Sequence, residues 1–106
     1  MMKRHELYKE AGFKDAAPNN YLVHDSPYMK VINFNFKAGQ KLPVHSHDIE
    51  GQVTIAVVEG KGKFLGKDDS EMSANTGDVL VCDIAEPHGI AAETDMRVLV
   101  TIAPPI

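Results

Sequence analysis

From Met29 to Ala103 the chain is cut by Gly, Pro, Asn and Asp into short runs of β-forming residues, and no helical apolar period lasts beyond a few residues. That punctuation excludes most α/β architectures and predicts an all-β sandwich or barrel. The run MKVINFNF shows the period of a half-buried strand, with Ile32, Phe34 and Phe36 on one face and Asn33 and Asn35 on the other. QVTIAVVEG, rich in β-branched residues, reads as the strongest strand, and GKGKFLG as a short Gly-bounded one. VLVCDI reads as a buried strand and MRVLVTIA as the closing strand, stopped by Pro104 and Pro105. KLPVHSH is an extended segment followed by a DIEG turn, KDDSEMSANTGD an exposed charged hairpin or loop, and AEPHGIAAETD a turn plus a short strand.

With 106 residues there is room for one core and one domain. Residues 29–106 carry the β pattern, and residues 1–28 are expected to form an N-terminal arm or edge strand. Within the arm, ELYKEAGF can start a helical turn, whereas AAPNNY and HDSPY read as loop. The net charge of -4 and the absence of a Lys/Arg cluster argue against a nucleic-acid or anionic-membrane surface. No segment approaches the roughly 20 apolar residues of a membrane span, and the N-terminus has no apolar signal region, so a cytoplasmic protein is expected. Cys82 is the single cysteine and, set in an apolar run, reads as a small core hydrophobe.

Chemistry concentrates in KLPVHSHDIEGQ. In an extended strand, positions i and i+2 share a face, so His45 and His47 present two imidazoles to one side. Two neutral imidazoles make a partial site for Zn, Ni, Fe or Cu that needs further donors from elsewhere, although an HxH pair by itself is as often solvated. His88, between Pro87 and Gly89, reads on its own as a turn histidine, and His5 and His24 as solvated or locally bonded.

Two stretches, GQKLPVHSH from Gly39 and GDVLVCDIAEPH from Gly77, stand in the order and spacing of a known pair of motifs. Written G(x)5HxH(x)3-4E(x)6G and G(x)5PxG(x)2H(x)3N, these belong to the cupins, and the chain resembles a small single-domain member of that superfamily. The resemblance covers roughly residues 30–103. It implies a double-stranded β-helix, a jelly-roll barrel, with His88 as a third imidazole beside His45 and His47. Gln52 stands where the family has its glutamate, Gly60 comes one residue late, and Asp83, Ala85 and Ala92 replace the Pro, Gly and Asn of the second motif. The implied metal set is therefore His45, His47, Gln52 and His88, with Glu50 as the alternative fourth donor.

If Gln52 faces the barrel interior, Thr54, Ala56 and Val58 share that face. The resemblance implies a divalent transition metal (Zn, Ni, Mn, Fe or Cu) at the barrel mouth and a small oxygen-rich substrate. It points to an isomerase, a ring-opening enzyme or a dioxygenase, with no catalytic residue assignable beyond the ligands. The alternative is a non-catalytic small-molecule or metal-binding barrel of the sensor kind. Small cupins commonly pair, which implies a homodimer, with the Asn33 and Asn35 face and the N-terminal arm as candidate contacts.

Overall fold

The computed structural model describes residues 1–106. A single helical turn α1 (Leu7–Glu10) precedes nine strands. They are β1 (Asn19–Asp25), β2 (Lys30–Phe36), β3 (Lys41–His45), β4 (Gln52–Glu59), β5 (Lys61–Leu65), β6 (Glu71–Asn75), β7 (Val79–Asp83), β8 (His88–Ala92) and β9 (Met96–Ala103). They form a five-stranded sheet in the order β1-β2-β9-β4-β7 and a four-stranded sheet in the order β3-β8-β5-β6. All pairings are antiparallel. The two sheets face each other as a double-stranded β-helix, the jelly roll that the strand punctuation and the paired motifs predicted.

The core lies between the sheets and is built by alternation. Val53, Ile55 and Val57 of β4, Met96, Val98 and Val100 of β9, and Phe36 of β2 meet Phe64, Ala74, Ile90 and Ala92 of the smaller sheet. Strand β4 carries Val53, Ile55 and Val57 on one face and Gln52, Thr54, Ala56 and Val58 on the other, and the bulkier apolar face turns inward. This corrects the inward set considered from sequence, because Thr54, Ala56 and Val58 lie on the outer face with Gln52. Each buried aliphatic or Phe side chain contributes about 1.5–3 kcal/mol, which is why the difference in apolar bulk between the faces decides the parity.

Several segments differ from their sequence reading. β1, at the edge of the larger sheet, is the edge strand expected within residues 1–28, but it runs through Asn19, Asn20 and the following residues, which by type look like loop. Pairing with β2 overrides their weak strand preference. β6 is a paired edge strand inside the charged stretch, and the turn before it is a 3-10 turn at Lys67–Asp69. β7 is an edge strand too, so Val79 and Val81 are solvent-exposed where a buried strand was expected.

The outer face of β2 and β9 is covered by the arm. Asn33 and Asn35 are fully buried there; Asn35 Nδ2 donates to the Gly12 carbonyl (2.8 Å), as does Asn19 Nδ2 (2.9 Å). Arg97 reaches out of β9 to donate from Nη1 to the Ala11 carbonyl (3.0 Å), and its guanidinium lies over the rings of Tyr8 (4.3 Å) and Phe13 (4.9 Å). The Asn33 and Asn35 face is thus sealed within the chain and is not a free pairing surface.

Candidate functional site

The site is assembled where β3 meets β8. Leu42 pairs with Ile90 and His45 with His88, so Pro43 and Val44 stand where regular pairing has room for one residue. This is a β-bulge, and Pro43, which cannot serve a regular ladder, sits in it. Strict alternation from Leu42 would turn Val44 inward and His45 outward. The extra residue resets the phase, so that Leu42 and His45 both line the same cavity. Gly89 keeps the two strands close, since a Cβ there would come within 2.7 Å of the Leu42 carbonyl oxygen and 2.9 Å of the Val44 nitrogen.

The consequence is a group of three imidazoles. The ring centroids of His45 and His88 are 4.5 Å apart, and those of His45 and His47 5.8 Å. His47 lies just beyond the end of β3, where its backbone N–H donates to the Ile84 carbonyl at 3.2 Å. The Nδ1 of His45 lies 3.0 Å from the Pro43 carbonyl and that of His88 2.6 Å from the Glu86 carbonyl. A carbonyl oxygen only accepts, so both rings carry their proton on Nδ1 and leave Nε2 unprotonated with its lone pair free. That is the arrangement in which imidazoles commonly bind metal ions. Burial, foremost, holds the His88 pKa below the ordinary histidine value, and the neighbouring His45 and His47 act in the same direction. Its bond to the Glu86 carbonyl, second only to burial, and to a lesser extent the Glu86 charge, oppose the lowering without reversing it. His88 is therefore neutral at pH 7, as a ligand must be.

Not every residue of the implied set joins this group. Gln52 lies on the outer face of β4, and its side-chain amide points to Asp83 Oδ1 on the neighbouring β7 at 3.5 Å. A side chain on that parity lies on the sheet face opposite Val53 and Ile55, which line the cavity with the histidines, so the structure does not bring Gln52 together with them. Glu50 sits in the exposed bend before β4. As the rings stand, no three His, Cys, Asp or Glu side chains form a ready-made cage for an ion. His45 and His47 are exposed, so their rings can turn toward a common point without repacking the core.

Below the histidines is a cavity of about 340 Å³ with a mainly aliphatic wall, including Ile32, Phe34, Val53, Ile55 and Val100. No Asp or Glu side chain lines it, and apart from the three imidazoles its one ionisable side chain is Lys30, whose ammonium donates to the Ile106 oxygen. Sequence reasoning passed over Lys30, although its parity was legible: it stands two before Ile32 and four before Phe34 on one strand face. Cys82 faces inward beside Val53 and packs against the core, and burial, reinforced by Glu86 and Asp83, pushes its thiol pKa up. It does not line this cavity.

The cupin domain pattern matches residues 33–102, which span both histidine segments. The chain belongs to the cupin family. A solved RmlC-like cupin from Desulfovibrio desulfuricans is 53% identical, with 100% of each chain covered and a TM-score of 0.96. KdgF from Halomonas sp. is 22% identical (92% of each chain, TM-score 0.76). Ectoine synthase from P. lautus is 16% identical (99% of this cupin, 80% of that chain, TM-score 0.78). These last two share the fold. None of the curated proteins matches this cupin. No helix of it is long and apolar enough to cross a membrane.

Proposed function

We propose that this cupin is a metal-dependent enzyme acting on a small molecule, with a divalent transition metal held by His45, His47 and His88 at the mouth of the apolar cavity. The observation that carries this reading is the pairing of His45 with His88 across the bulge, each with Nδ1 tied to a carbonyl and Nε2 free. Imidazole donors suit Zn, Ni, Fe and Cu and accept Mn. A bound ion would supply Lewis-acid polarisation of a substrate oxygen or, as iron, activation of dioxygen.

The chain's own contribution is binding and exclusion of water. The aliphatic wall orients the substrate and keeps the site dry, and the Pro43 and Glu86 carbonyls hold two imidazoles in one tautomer. A ring-opening or isomerisation needs a proton carrier at the reacting carbon. No Asp or Glu side chain of the cavity is available for that task, which favours dioxygenase chemistry over the isomerase reading. The same lack supports the second reading, a binding barrel without turnover.

Metal content by plasma mass spectrometry on untagged protein tests the proposal. About one equivalent is expected in wild type and in Gln52→Ala, and a large loss in His88→Ala. Wild type that stays metal-free after incubation with each candidate ion would overturn it. A homodimer is proposed as well, through the exposed Val79 and Val81 of edge strand β7, and light scattering on the eluting species tests it.

A further inference from the structure

We infer that the cavity takes a compact, hydrocarbon-rich molecule of about a dozen non-hydrogen atoms, its oxygens gathered at the histidine end and its apolar body between the sheets. This assignment builds on the reading of the cavity as a small-molecule site, and it does not require the metal. It replaces the oxygen-rich substrate that the family resemblance implied. Three observations carry it.

The first is the order of residues along the strands. Pairing sets Ile32, Val100 and Ile55 side by side across β2, β9 and β4, and on the facing sheet Leu42 is paired with Ile90. All five line the cavity. Each row stands two residues nearer the core than a polar residue, Lys30 on β2 and His88 on β8. The main chain of β2, β9, β4 and β8 is flanked on both sides by paired strands. A hydroxyl pushed to that depth therefore meets hydrocarbon, and each one left without a partner weakens binding by roughly five- to 150-fold.

The second is that the polar side chain of the cavity other than histidine is already engaged. The Lys30 ammonium donates to the main-chain oxygen of Ile106, and Ile106 is itself part of the wall. What remains for a ligand is the three imidazoles, with Nε2 of His45 and of His88 free. The polar anchor is thus confined to one end.

The third is size. A volume of about 340 Å³ is a little over twice the space in which a protein interior holds benzene, hence the limit of about a dozen non-hydrogen atoms. One substituted ring or a short branched chain fills it, and a disaccharide overfills it.

The test is an NMR titration of amide and methyl signals with three ligands built on one six-membered ring, cyclohexanol, trans-cyclohexane-1,2-diol and myo-inositol. It is run on chelator-treated and on zinc-incubated protein. The diol and inositol offer the same neighbouring pair of oxygens to the histidines or to an ion, so their difference reports the buried wall. The diol should shift Ile32, Ile55 and Val100, and inositol should bind about a hundredfold more weakly, as two unpaired hydroxyls at about tenfold each would make it. Val100→Thr, which keeps the shape and sets a hydroxyl in the wall, should narrow that gap, and Ile32→Thr replaces it if Val100→Thr melts early. A gap below tenfold in wild type would overturn the hydrocarbon-rich class. Shifts of the diol confined to other residues, or no binding of cyclohexanol and the diol to either form, would overturn it too. The full gap in protein that takes up no zinc would uphold this class while overturning the metal reading. Zinc uptake together with equal binding of diol and inositol would do the reverse.

Discussion

The two faces of β2 are covered in opposite ways. Inward, Lys30, Ile32 and Phe34 border a cavity and Phe36 closes into the core. Outward, Asn33 and Asn35 are just as inaccessible, but what covers them is main chain, the Gly12 and Val98 carbonyls among it. The inner face is held by apolar area and keeps open space. The outer face is held by directed bonds and keeps none, although the Oδ1 atoms of both asparagines stay unpartnered. The difference teaches that a polar strand face is not necessarily a wet one. It also teaches that the side able to accept a ligand is the side whose cohesion does not depend on direction.

Substitutions along the inner face sharpen this contrast most. Phe36→Ala empties a fully buried position and should cost about 3–5 kcal/mol in urea-unfolding free energy. Phe34→Ala, on the same strand face but at the wall of an existing cavity, should cost visibly less and enlarge the cavity instead. Equal losses would mean that the cavity collapses in solution. On the outer face, Arg97→Ala removes a charged donor to Ala11 and the cation between Tyr8 and Phe13. A loss of about 2 kcal/mol is expected, with faster amide exchange over the Tyr8–Phe13 segment and no change in metal content. If metal content fell with it, the two faces would be coupled through β9 and the contrast would break.

How far these features were legible in the sequence follows the same division. Apolar periodicity reports inner faces well, so the strands β2, β4, β5 and β9 and the jelly roll could be read directly, and the paired motifs brought His88 to the other two histidines. What escaped was everything set by pairing rather than by side-chain type. An edge strand in residues 1–28 and a hairpin in the charged stretch were expected, but the extents of the polar strands β1 and β6 are visible only from their pairing with β2 and β5. The β3 bulge is a count across two strands, which one strand cannot reveal, and it alone accounts for the inward turn of His45. Gln52 was drawn inward by its spacing in the motif, yet Val53, Ile55 and Val57 outweigh Thr54, Ala56 and Val58 in bulk, and that preference carries Gln52 outward. The arm's hold on Asn33 and Asn35 depends on main-chain carbonyls, which no residue type announces.

The smallest effect expected concerns acid. Tyr21 Oη donates to Glu10 Oε1 at 2.9 Å, joining α1 to β1, and this bond foremost holds the Glu10 pKa below the ordinary 4.5. The Glu6 backbone N–H and His5 add to the lowering, and partial desolvation opposes it. A carboxyl whose folded pKa is depressed binds fewer protons folded than unfolded, so its stabilisation is present above 4.5 and is lost as pH falls through the depressed value. The contact is local and solvated, so acid should loosen the arm before it touches the inner core. Amide exchange of Leu7–Glu10 should therefore quicken as pH drops below 4.5, beyond the intrinsic pH trend of exchange, while β4 and β9 stay protected. Tyr21→Phe should bring that quickening to higher pH. A Tyr21→Phe protein with the wild-type profile would show that the arm is held by Arg97 and its two rings alone, and that the carboxylate is only a bystander on the outer face.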